Sequence, residues 1–91
     1  MKTLEKIREE IKKEKANVEF CLKSHQQLED RFREVIPKMF KERNHIQTIM
    51  EKMRYYEKVM KEKIERAEKH VQIMNALENL LAEQEDEYAT T

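Results

Sequence analysis

Glycine is absent from all 91 residues, and no other single feature narrows the possible folds as far. Glycine is the default residue wherever a backbone must take a positive φ or approach a ligand closely. Without it, tight β-hairpins, phosphate-cradling loops and nucleophile elbows are all disfavoured, and the chain is left with helices.

The apolar residues say how those helices pack. Starting at Leu4 and stepping alternately three and four residues visits Ile7, Ile11, Val18, Cys21, Leu28, Phe32, Val35 and Met39, then Ile46, Ile49, Met53, Tyr56, Met60, Ala67, Met74, Leu77, Leu81 and Tyr88. The polar residues on this path are Glu14, His25, Glu42, Lys63, His70 and Gln84, so 19 of its 25 positions are apolar in a chain that is 38% apolar overall. Random placement would give about ten, so the path is a heptad seam, the a and d positions of helices packed along their length. Opposite it, acid–base pairs recur four residues apart: Glu9/Lys13, Glu19/Lys23, Glu29/Arg33, Glu34/Lys38, Glu57/Lys61, Glu62/Arg66 and Glu65/Lys69. Such pairs mark a solvated helix face, each contributing a few tenths of a kcal/mol.

Pro37 is the one residue that breaks this regularity. A proline inside a helix removes a hydrogen bond and clashes with the preceding turn, at about 3 kcal/mol. Two architectures follow: a reversal near Pro37 that makes an antiparallel helical hairpin, or one long kinked helix in a coiled-coil oligomer. The heptad phase crosses the proline unbroken, which favours the kinked helix. Charge favours the hairpin, because a parallel homodimer would set Glu14, Glu42 and Lys63 each against its own copy. Folding back at Pro37 places Glu14 beside Lys63, Leu28 beside Ile49 and Cys21 beside Tyr56. Weighing the charged layers above the phase, the sequence predicts an all-α single domain over 1–86, with helices over 2–35 and 40–86 and a frayed acidic tail over 87–91.

A reversal there also predicts unequal arms, leaving Leu77, Leu80 and Leu81 without a partner in their own chain. The second helix carries further apolar residues at the e and g positions beside its seam: Met50, Val59, Ile64, Val71, Ile73 and Leu80. The expectation is a homodimer of hairpins forming a four-helix bundle, with Ile64, Val71, Ile73, Met74, Leu77, Leu80 and Leu81 as the partner interface.

Chemistry is hard to place on such a chain. Cys21 and His25 share a helix face at a metal-compatible spacing, but two ligands do not make a site, and both fall on the seam. Glu42 and His45 match the Glu-x-x-His spacing of di-iron bundles, whereas Leu22 and Ala67 stand where His25 and His70 would need glutamates. Hydroxyl side chains are few and no irregular loop holds them, so neither an enzyme nor a cofactor or small-molecule site is expected. Residues 38–66 contain nine Lys and Arg against five Glu, and nucleic-acid association is the alternative reading. Those charges surround the helix instead of forming the single stripe that a phosphate backbone requires.

No stretch approaches the ~20 apolar residues of a membrane span, and Met1-Lys2-Thr3-Leu4 opens no signal peptide, so the expectation is a soluble intracellular chain. One cysteine agrees with a reducing compartment. The function expected is protein–protein interaction, as an oligomerising scaffold, adaptor or small regulatory or chaperone-like subunit that binds itself and another protein.

Overall fold

The structure, a computed structural model, describes residues 2–90. Two helices, α1 (Lys2–Lys41) and α2 (Ile46–Thr90), lie antiparallel against each other in a rod whose principal extents are 72 × 15 × 13 Å. The heptad seam is the line of contact. Leu4, Ile7, Cys21, Ile49, Tyr56 and Ala67 on it are buried, and Ile49, at 1% exposure, is the most enclosed. Phe32 and Tyr56 meet edge to face across the interface, with ring centroids 5.9 Å apart. Lys52 lies over the rings of Tyr55 and Tyr56, at 5.6 and 5.7 Å.

The helix does not stop at Pro37. It continues through the proline to Lys41, and the chain reverses over residues 42–45 instead. Pro37 occupies the outermost heptad position and is exposed. The carbonyl that its missing N–H leaves free can therefore bond to water, while buried Ile36 and half-buried Met39 hold the last turn onto α2.

What ends α1 is a full Schellman motif. The N–H of Asn44 donates to the Met39 carbonyl at 3.0 Å and that of Arg43 to the Phe40 carbonyl at 3.1 Å, with Arg43 at φ 59°. This left-handed position is the one usually given to glycine. His45 then caps α2: its Nδ1 accepts the N–H of Gln47 at 3.2 Å, and its carbonyl accepts the N–H of Ile49 at 3.1 Å. Replacing Arg43 with Gly relieves the Cβ clash of the left-handed conformation, and is expected to stabilise the hairpin by about 0.5–1 kcal/mol in urea denaturation.

Moving the reversal moves the register. Glu14 meets His70, one heptad beyond Lys63, and Tyr56 stacks on Phe32 instead of facing Cys21. The arms become nearly equal, at 40 and 45 residues, and Arg8 pairs with Glu85 at 2.9 Å close to the open end. The overhang expected from a reversal at Pro37 is therefore absent. Leu77 and Leu81 are half-buried along the seam, at the end of the rod where Leu4 and Ile7 are buried. The acidic tail is helical as far as Thr90, and Thr91 lies outside the described residues.

The solvated faces carry acid–base pairs, though with different partners from those expected. Arg33 pairs with Glu29 at 2.8 Å as the spacing predicts, whereas Lys13, Lys38 and Lys61 turn to Glu10, Glu42 and Glu65. These exposed contacts contribute little individually.

Candidate interaction surface

In an antiparallel pair of helices the e positions of one flank the e positions of the other, and the g positions do the same on the opposite side. The hairpin therefore has two flanks of different character. On the g flank, Ser24, Gln27, Asp30, Arg31 and Lys63 line a groove of about 550 Å³ together with Leu28 and Val59. That groove is larger, and its lining is evenly mixed between polar and apolar. On the e flank, Val18, Leu22, Ile64, Ala67 and Val71, with Glu68 and Gln72 beside them, line a mainly apolar groove of about 400 Å³. Its floor is buried Ala67 and half-buried Val18, while Leu22 on the rim remains 49% exposed.

Leu22 enters this groove because it lies one residue past Cys21 on the seam, and Ile64 and Val71 because they follow Lys63 and His70. A second apolar cluster lies on the same flank near the turn. It consists of buried Ile36 with Phe40, 53% exposed, and Met50, 40% exposed. Between the clusters the flank carries Glu29 and Arg33 on α1 and Arg54, Glu57 and Lys61 on α2; towards the open end α1 carries Glu5, Arg8, Lys12, Lys15 and Glu19, a mixed stretch, and α2 carries Glu68, Glu78 and Glu85.

The seven interface residues expected from sequence divide three ways. Ile64 and Val71 line the apolar groove. Met74, Leu77 and Leu81 are seam residues, half-buried within the hairpin itself. Ile73 and Leu80 are exposed on the g flank, away from the groove. The expectation missed Leu22, Phe40 and Met50 as members of one surface. The signal was present in the heptad letters, since Leu22 and Ile36 are e positions of α1, but only the correct register brings them beside e positions of α2.

The residues weighed for chemistry are otherwise engaged. Cys21 is buried on the seam, Glu42 lies within 3.9 Å of Lys38, and His45 caps α2. His70 Nδ1 hydrogen-bonds the Glu14 carboxylate across the seam. Among the described residues no three His, Cys, Asp or Glu side chains converge as metal ligands would, and no helix is long and apolar enough to cross a membrane. The basic residues of 38–66 are dispersed: Lys52 sits over two tyrosine rings, Lys61 near Glu65, and Lys63 on the larger groove. No family model, curated protein or solved structure matches the chain.

Proposed function

We propose that this protein is a non-enzymatic association module, which acts by laying an apolar helical flank against another helical surface, as an oligomerising scaffold, adaptor or small regulatory subunit does. The observation that carries this reading is the surface the hairpin leaves uncovered. Its accessible area is 7381 Å² for 11.2 kDa. A compact monomer of that mass exposes about 5,700 Å², so the surplus is on the order of 1,700 Å². That is the scale each partner covers in obligate homodimers, which bury about 2,000–5,000 Å² in total.

The composition of the surplus supports the same reading. Leu22, Phe40 and Met50 are exposed on the e flank, and apolar residues grouped on one flank mark an interaction site far better than scattered ones do. Helix-in-groove association needs only such a stripe and flanking charges.

The test is sedimentation equilibrium of the full chain, combined with cross-linking and capture of stoichiometric partners from its source cells. An oligomer of defined mass, or a stoichiometric complex with another protein, is expected. A chain that stays monomeric at 100 μM and holds no partner overturns the reading.

A further inference from the structure

The geometry points to a second copy of this chain as the occupant of the g flank, turned about a two-fold axis perpendicular to the rod. In that dimer α1 lies on α1 and α2 on α2, each antiparallel, and the two turns sit at opposite ends of a four-helix bundle. This rests on the association reading and specifies its partner and orientation; the e flank stays open.

The g flank carries its own exposed apolar side chains. Phe20, the most exposed large apolar residue among those described at 68%, lies there with Tyr55, Ile73 and Leu80, beside half-buried Val59. Ile73, Leu80 and Val59 are g positions, and Phe20 and Tyr55 are c positions, the next row outward. A perpendicular two-fold sets g on g and c on c. With the axis passing near Phe20, close to the middle of the rod, Phe20 meets its own counterpart, Val59 meets Ile73, and Tyr55 meets Ala76.

Charge selects the same alignment. Among the described residues, Lys6, Arg31, Glu34, Glu62 and Lys69 form no ion pair within their own hairpin, and Glu10 meets only exposed Lys13. The rotation brings Glu10 to Arg31, Lys6 to Glu34 and Glu62 to Lys69, each twice by symmetry. The single like-charge meeting is Arg66 with its own copy at the axis, where Glu62 and Glu65 line the same hollow.

A copy turned about an axis along the rod keeps every residue at its own level, and covers this flank poorly. Phe32 stands across from Tyr56 and Glu14 from His70, which puts Leu80 level with Lys6, Ile73 with Lys13, Val59 with Gln27 and Phe20 with Arg66. No two of those apolar side chains then cover one another. The perpendicular axis also superimposes the full length of both rods, so a face 72 Å long and 15 Å wide covers on the order of 1,000 Å² on each chain, above the ~800 Å² per partner of a standard stable interface.

The test combines disruption, rescue and orientation. Ile73→Glu/Leu80→Glu is expected to weaken self-association at least 100-fold in sedimentation velocity, with helicity by circular dichroism unchanged, whereas Leu22→Glu on the e flank leaves the mass as it is. Arg31→Glu alone is expected to weaken the dimer about 10-fold, and Glu10→Arg/Arg31→Glu to restore it, which keeps the proposal testable if the first variant loses helicity. In a Cys21→Ala background, a spin label at Glu42→Cys reports a distance across the dimer of about 60 Å for the perpendicular axis and below about 30 Å for the parallel one. A dimer broken by Leu22→Glu but not by the g-flank changes, a swap that fails to restore it, or the short distance overturns this geometry and leaves the association reading standing. A chain that is monomeric alone but forms a stoichiometric complex with another protein overturns the second copy as occupant. A chain that does neither overturns both.

Discussion

Replacing Pro37 with alanine is expected to stabilise the hairpin by about 2 kcal/mol, without moving the reversal. Proline inside a helix costs about 3 kcal/mol relative to alanine, through the lost N–H and the clash of its ring with the carbonyl four residues back, here Arg33. Part of that returns, because proline also narrows the unfolded ensemble, by about 0.4–1 kcal/mol. The remainder is a cost that α1 sustains in the observed fold. It does so because the turn beyond the proline is held at both ends: Ile36 is buried against α2, and the Schellman bonds from Arg43 and Asn44 close the last carbonyls. Urea denaturation of Pro37→Ala checks the magnitude. If the variant is less stable than the parent, Pro37 has a constructive part in the reversal and the present account of the turn is wrong.

The seam was legible because burial along a rod follows the heptad phase, and that phase is the same for either turn; Leu4, Ile7, Cys21, Ile49, Tyr56 and Ala67 all lie on it and are buried. The reversal was harder to place, because proline is the louder signal and the true stop is spread over four residues. Glu42-Arg43-Asn44-His45 contains one residue of the turn-forming kind, Asn44, and its left-handed position is filled by arginine, which no propensity argument would choose. The e flank was legible only in part. Ile64 and Val71 stand out on α2, but Leu22, Phe40 and Met50 join them only once Glu14 is set opposite His70.

Pairing Glu14 with Lys63 looks better electrostatically than pairing it with His70, yet the rod chooses His70. The alternative register slides α2 by one heptad and leaves the region of Leu77 and Leu81 projecting beyond the start of α1. Covering one such side chain is worth about 1.5–3 kcal/mol. A partly solvated ion pair is worth about 1 kcal/mol or less. Two apolar layers therefore outweigh one charge pairing, and matched arm lengths set the register.

The same balance predicts how the polar layer itself responds to substitution. Glu14 and His70 retain 16% and 30% side-chain exposure, so the pair is largely desolvated on a mainly apolar line. Changing His70 alone to Leu strips the carboxylate of its partner in a site with little water, and is expected to destabilise the hairpin by about 2 kcal/mol; this is less than the 3–5 kcal/mol of a fully buried broken pair, because Glu14 keeps some solvent contact. Changing Glu14 to Leu as well reverses the sign. Two leucines complete the seam, and the double variant is expected to exceed the parent by about 1–3 kcal/mol, as replacement of a buried pair by apolar side chains often does. Guanidinium denaturation of the parent, the single variant and the double variant measures both steps. Spin labels at Lys12→Cys and Asn75→Cys, in a Cys21→Ala background, then ask whether the polar layer also fixes the alignment. If burial sets the register, the label distance stays single and unchanged in the double variant. A second distance population, displaced by about 10 Å along the rod, would instead show that Glu14 and His70 hold the two helices in step.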